Sequence, residues 1–247
     1  MSFAIITVAK DDYGLIDYMI KSAEKYASNI NQFIIVNNHD RNDVLKKYNN
    51  SSLIQVVPGR AKNSNSSIQH GSGLNKALPL ITAKTTAIIE PDCVVLKKNF
   101  NLLPDGYDMI APVKGTDING VNYYHPCLMV FKTSCLKKVD FKAYNFKDKT
   151  GLPLGNNHVY SDTGWQISKY IKNNQVKQLK IVLSRAKERK IIPYDFGHRT
   201  NEFWMDDEVF GLHFWRGSEP SRRQAIPKLG DWPKQLSAWK KFLSEVI

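Results

Sequence analysis

Glu90 and Asp92 sit two residues apart where the apolar run Thr86–Glu90 meets Pro91. Carboxylates at that spacing can hold a hard divalent cation, and such a cation can bridge the phosphates of a nucleotide. The run is short, continuous and β-branched, so it reads as a buried strand with the carboxylates where the chain leaves the sheet. In open α/β sheets, ligands bind just beyond such strand ends. An acidic turn after a strand is also a common structural feature, so the pair takes its meaning from the rest of the chain.

The elements around the pair read as follows. Phe3–Ala9 is an apolar run, followed by a helix with Leu15, Tyr18, Met19, Ser22, Ala23 and Tyr26 on one face and Asp11 or Asp12 as its cap. Gln32–Val36 and Leu53–Val57 read as further strands, separated by a short polar helix near Asn42–Tyr48. A Gly- and Ser-rich loop spans Pro58–Ser72, and a helix from about Gly73 to Ile81 leads into the acidic strand. Strands alternating with helices at this pitch imply βαβ units and a mostly parallel sheet flanked by helices. Beyond residue 100, Tyr107–Pro112 and Pro126–Lys132 read as strands and Asp162–Lys172 as a helix. Ser184–Asp207 reads as a charged mobile loop, and the tail from Pro233 carries Leu236, Trp239, Lys240 and Leu243 at helical spacing.

At 247 residues the chain can bury one large core. No apolar stretch approaches the ~20 residues needed to span a bilayer. The N-terminus lacks the basic region and cleavage site of a secretion signal, so the expected location is cytoplasmic; the amphipathic tail either packs onto the domain or makes peripheral contact at a membrane. Cys93, Cys127 and Cys135 are odd in number and form no Cys-x-x-Cys pair, which argues for a reducing compartment and for packing roles. The formal charge of +12 attracts polyanions, but the lysines are spread along an Asn- and Ile-rich chain, which does not favour specific nucleic-acid binding. Neither Gly-x-x-x-x-Gly-Lys-Ser/Thr nor a Gly-x-Gly-x-x-Gly opening the first helix is present, so a P-loop or a standard dinucleotide fold is not expected.

An ordered set of segments, FAIITVAKDD, QFIIVNNHDRND, GSGLNKAL, IIEPDCVVL, HPCLMVFKTSCLKKVDF and YSDTGWQISKYI, resembles the nucleotide-sugar glycosyltransferases of the GT-A fold, especially the inverting family 2 type. The resemblance covers roughly residues 3–175. It implies a Rossmann-like α/β core over residues 1–183, with a donor half to about residue 100 and an acceptor half beyond it. Residues 184–247 form the loop and C-terminal extension that complete the site.

Carried onto this chain, the resemblance gives Thr7 and Ala9 to the donor's base. Asn37 and Asn38 stand where the family usually has acidic residues, and an amide can still bond a base edge. Asn75 matches the family's asparagine before the metal strand. Leu74 replaces the usual arginine, which leaves phosphate neutralisation to Lys76, Arg60 or the metal. The family's Asp-x-Asp reads Glu90-Pro91-Asp92, with Asp92 as metal ligand and Glu90 toward the ribose or a metal-bound water. His213 in GLHFWRGS matches the C-terminal histidine that many such enzymes use as a further ligand, suited to Mn2+ more than Mg2+. Asp162 falls at the catalytic base, although it also sits at a helix-capping position. Trp165 and His125 fall on the acceptor side, where the resemblance implies a glycan, a lipid-linked glycan or another polyanion. Two other classes compete: a nucleotidyltransferase on a related sheet, disfavoured by AKDDYG after the first strand, and a non-catalytic polyanion-binding domain, favoured by charge alone.

Overall fold

Seven consecutive buried residues make β1 (Phe3–Ala9), an interior strand that is apolar on both faces. The computed structural model describes residues 2–10, 14–39, 45–59, 66–116, 122–141, 153–154, 158–159, 163, 167–183, 188–193, 200–214 and 232–247. Phe3, Ile5 and Ala9 pack with Ile16, Met19 and Ala23 of helix α1 (Leu15–Tyr26). The alternate residues Ala4, Ile6 and Val8 pack with Leu74 and Ala77 of helix α2 (Ser66–Ala77). A strand covered on both faces needs a continuous apolar run, which is why β1 is legible as one.

Parallel strands β3 (Ile54–Pro58), β2 (Ile30–Asn37), β1 and β4 (Thr85–Ile89) form one half of the main sheet in that order. The order continues through β8 (Leu128–Lys132), β6 (Met109–Thr116), β11 (Val176–Val182), β12 (Thr200–Met205), β13 (Glu208–Phe214) and β5 (Cys93–Val95). In this second half β8 runs antiparallel to β4 and β6, β11 is parallel to β6, and the last three strands pair antiparallel. The short β7 (Asn122–Tyr124) pairs β6, and β9 (Pro153–Leu154) with β10 (His158–Val159) forms a separate ribbon. The result is the expected Rossmann-like α/β architecture, with helices over a sheet whose β3-β2-β1-β4 half is parallel.

Several elements differ from the sequence expectations. Helix α2 begins at Ser66, inside the expected Gly- and Ser-rich loop, and ends at Ala77 in the short 3-10 turn Leu78–Leu80. Its glycines serve close packing. A Cβ on Gly73 would lie 2.8 Å from Val8 Cγ1, so the helix could not approach β1 as it does. Of the helices expected at 42–48 and 162–172, the described helical parts are 3-10 turns at Lys46–Tyr48 and Ile167–Lys169. Helix α1 has Gly14 at its N-cap with φ 85° and no side-chain cap; Asp11 and Asp12 lie outside the described residues.

Thr200–Met205 falls within the expected loop Ser184–Asp207 yet forms β12, because Glu202, the charge that disguised it, is buried and fully hydrogen-bonded. The C-terminal helix Trp232–Val246 forms as expected, but its apolar stripe is covered by the domain: Trp239, Phe242 and Leu243 pack with Leu15, Val94, Leu212 and Phe214. That stripe is engaged in the core. No helix among the described residues is long and apolar enough to cross a bilayer.

Candidate metal and donor site

Strand β4 ends at Ile89, and a tight turn places the acidic pair. Cys93 N donates to Glu90 O at 2.9 Å across Pro91 and Asp92, the arrangement proline at the second turn position favours. Glu90 N donates to Cys127 O at 2.8 Å, and Phe214 N donates to Asp92 O at 2.9 Å. The turn is thus anchored to the entry of β8 on one side and the end of β13 on the other. Antiparallel pairing of β13 with β5 then sets His213 opposite Cys93.

Glu90, Asp92 and His213 consequently offer ligand atoms within 4.8 Å of one another. His213 Nε2 stands 3.8 Å from Glu90 Oε2 and 3.8 Å from Asp92 Oδ1, with His213 and Asp92 buried and Glu90 about a quarter exposed, at 24%. These separations exceed hydrogen-bond length. Neighbouring ligands bound at ~2.0–2.2 Å to one ion stand roughly 3.0–3.5 Å apart, so a small contraction closes the group on a cation. Two carboxylate oxygens and one imidazole are a donor set that suits Mn2+, with Mg2+ the harder alternative. The residues fit such an ion.

Around this group the histidines form a shell. The His213 ring lies nearly parallel to Phe203 at 6.1 Å between centroids, and His125 meets it edge-on at 5.2 Å. Burial pushes the His125 imidazole well below its usual pKa, and the neighbouring His213, Lys114 and His70 push it the same way. His125, expected on the acceptor side, therefore lies directly against the candidate metal ligand. His70, for which sequence spacing gave no role, has Nδ1 3.8 Å from Glu90 Oε1 and 3.2 Å from Thr163 Oγ1, in a hydrogen bond whose direction depends on the tautomer.

The other expected residues divide into groups. Thr7 is buried, its hydroxyl without a hydrogen bond among the described residues, and Ala9 O accepts from Asn38 N at 2.9 Å. Asn37 Oδ1 accepts from His39 N at 3.0 Å. Asn38 Nδ2 donates to Gln69 O at 3.0 Å, while its buried Oδ1 has no hydrogen-bond partner among the described residues. Thr7, Ala9, Asn37 and Asn38 thus cluster at the carboxyl ends of adjacent strands β1 and β2, alongside β4. Asn75 faces elsewhere: its amide donates to Asp140 Oδ1 at 2.7 Å and accepts from Phe141 N at 2.9 Å, tying α2 to the chain after β8. Lys76 is exposed, with Nζ 3.3 Å from Pro58 O at the end of β3. Asp162, Trp165 and Arg60 lie outside the described residues. Thr163, next to Asp162 in sequence, is buried beside α2, where a Cβ on Gly71 would come 3.3 Å from Thr163 Cγ2.

Sequence reasoning also missed a thiol group. Cys93 and Cys127 are fully buried with their sulfurs within 4.8 Å of each other, and burial raises both thiols, Cys127 to about 11. Their meeting depends on strand register, which residue spacing does not encode.

No protein-family model matches the chain, and no curated protein matches it. Among solved structures, the chain is similar to the galactosyltransferase LgtC in complex with donor and acceptor sugar analogues, at 12% identity over 56% of this chain and 60% of that one, with a TM-score of 0.40. It is also similar to the mannosyltransferase PcManGT from Pyrobaculum calidifontis in complex with GDP-Man and Mn2+, at 13% identity over 71% and 56% and a TM-score of 0.45. A third is residues 1-349 of S. aureus TarS in complex with UDP-GlcNAc, at 16% identity over 58% and 49% and a TM-score of 0.41. The chain spans between 49% and 60% of the length of these three proteins.

Proposed function

We propose that the chain is a metal-dependent glycosyltransferase that moves a sugar from a nucleotide-sugar donor to an acceptor hydroxyl with inversion. The observation that carries this reading is the meeting of Glu90, Asp92 and His213 at the carboxyl end of β4, beside the ends of β1 and β2. Asp92, Glu90 and His213 hold the divalent ion, Mn2+ or Mg2+. When bound, the ion supplies positive charge to the diphosphate of the leaving nucleotide.

The chain's own residues do the rest. Thr7, Ala9, Asn37 and Asn38 border the base and ribose, and the buried Asn38 Oδ1 offers an acceptor that a base-edge amino group satisfies. Lys76, exposed beyond the end of β3, reaches toward the phosphates. Asn75, engaged with Asp140 and Phe141, ties α2 to the chain after β8 and does not itself bind donor in this reading. Asp162 takes the proton from the acceptor hydroxyl as its oxygen attacks the anomeric carbon from the face opposite the nucleotide. Thr163 supports that role: the residue following Asp162 is hydrogen-bonded to His70, which in turn stands beside Glu90. Trp165 and His125 belong to the acceptor side.

The deciding experiment is a screen of the purified chain against a panel of nucleotide-sugars, with Mn2+ and with EDTA. We expect turnover of at least one donor that disappears in EDTA, with an inverted product. Full turnover in EDTA would remove the metal from the mechanism, and silence across the whole panel would remove the sugar donor.

A further inference from the structure

Cys93, Cys127 and His213 form a second group of ligand-bearing side chains, offering one atom each within 4.8 Å of one another. Sheet geometry brings them together. His213 on β13 lies directly opposite Cys93 on β5, and opposed residues of an antiparallel pair share a face with Cβ atoms ~4.5–5.5 Å apart. Cys127 enters from the start of β8, where its carbonyl accepts the Glu90 amide at 2.8 Å. Phe203, stacked on the His213 ring at 6.1 Å and 20°, restrains the plane of the imidazole. None of the three ligating residues is more than 1% exposed.

We propose that Cys93, Cys127 and His213 form a site for a thiophilic cation of the Zn2+ class, distinct in ligand chemistry from the carboxylate pair and sharing His213 with it. Two sulfurs and an imidazole nitrogen are soft and borderline donors, which select Zn2+, Cd2+ or Cu+ over Mg2+ and Mn2+. Zinc bonds of ~2.3 Å to sulfur and ~2.0–2.1 Å to nitrogen put tetrahedral neighbours roughly 3.4–3.8 Å apart, so the group, already within 4.8 Å, needs a contraction of at most about 1.4 Å. Each thiol releases its proton to solvent as it becomes a thiolate ligand, and the fourth tetrahedral position remains for an oxygen donor. The shared imidazole has a consequence that rests on the glycosyltransferase reading: a thiophilic ion draws His213 away from Glu90 and Asp92 and inhibits sugar transfer. The ligation itself does not depend on that reading.

The test is optical. The full reduced chain is titrated with Cd2+ in excess Mg2+, following the ultraviolet thiolate-to-cadmium charge-transfer band, and then with Co2+, whose visible bands report geometry. We expect a band that saturates near one equivalent, a tetrahedral Co2+ spectrum, and at least about tenfold weaker binding in Cys93→Ser and Cys127→Ser. Cys135→Ser, on the short helix after β8, should leave the titration unchanged. If the serine variants fail to fold, the Co2+ spectrum of the unaltered protein still decides between sulfur-rich tetrahedral and oxygen-rich octahedral ligation. No charge-transfer band, a band abolished by Cys135→Ser, or an octahedral Co2+ spectrum would each overturn the proposal. Because none of these readings involves sugar transfer, a chain that proves inactive on every donor would leave the result standing.

Discussion

Glu202 on β12 and the Glu90–Asp92 pair beyond β4 both bring carboxylates into the interior, but their surroundings differ. Glu202 has no exposed surface and accepts hydrogen bonds from Lys190 N at 2.9 Å, Ile191 N and Ile192 N at 2.7 Å each, and Trp204 Nε1 at 2.8 Å. Burial pushes its pKa up, yet the bonds from the three amides and the indole outweigh that and hold it below the ordinary value. It is a charge whose donors are all supplied by the fold, and it fastens residues 190–192 onto β12. At Glu90 and Asp92, by contrast, His213 stands off at 3.8 Å from each carboxylate. A buried carboxylate bonded at close range stabilises the chain; carboxylates grouped around a histidine at ligand spacing could hold a cation.

The comparison can be broken at either end. Asp92→Ala should abolish donor turnover while leaving the thermal unfolding midpoint within a few degrees; an active variant would show that the pair is merely a turn. Next in size, Asp162→Asn should lower transfer to a true acceptor by about two to four orders of magnitude without loss of donor affinity. Near wild-type transfer by that variant would move the base elsewhere, with Asp206, Asp207 and Glu208 the next carboxylates to test. His213→Ala should weaken Mn2+ affinity by about 10–100-fold, read by titrating activity or calorimetric heat against Mn2+.

Glu202→Gln should show the reverse pattern, costing about 2–3 kcal/mol of stability through its lost charge-assisted hydrogen bonds, with donor turnover retained in the folded fraction. The pH dependence follows from its lowered pKa. The stability Glu202 supplies is fully present above the unfolded carboxyl value of about 4.3 and is lost as pH falls through the lower folded value. The gap between wild type and Glu202→Gln in urea unfolding should therefore be widest at neutral pH and should narrow as pH falls below about 4. A gap that widens in acid would mean the carboxylate is not the charged species. Smallest of all, Gly73→Ala should cost about 1–3 kcal/mol as its new methyl displaces Val8, with no change in metal affinity.

Legibility in the sequence follows burial pattern. β1, β4 and the buried half of β2 were readable because two covered faces demand unbroken apolar runs, whereas β3, an edge strand only partly buried, was readable from its short β-branched run. β11 was not, since VKQLKIV interleaves exposed Gln178 and Lys180 with buried positions and resembles loop composition. β12 was hidden by Glu202, a charge whose burial depends on backbone amides twelve or fewer residues upstream in sequence. The C-terminal helix was readable as amphipathic, but periodicity alone does not say whether protein or lipid covers its stripe. At the site, the acidic pair was visible from strand-end position and His213 from family order. His70 and the Cys93–Cys127 contact were not, because they are set by how α2, β5, β8 and β13 dock.

The docking of β13 onto β5 also bears on how the chain acquires its shape. Cys93–Val95 is only three residues long, and its ladder partner is Gly211–His213, far along the polypeptide. Contacts of such long sequence separation form late and slowly, after the costly closure of a large loop. Until then β5 presents an unpaired edge, a template for intermolecular association. A nascent or truncated chain lacking the segment to Phe214 would thus be both sticky and without its full ligand set, so competence and solubility are acquired in the same late step.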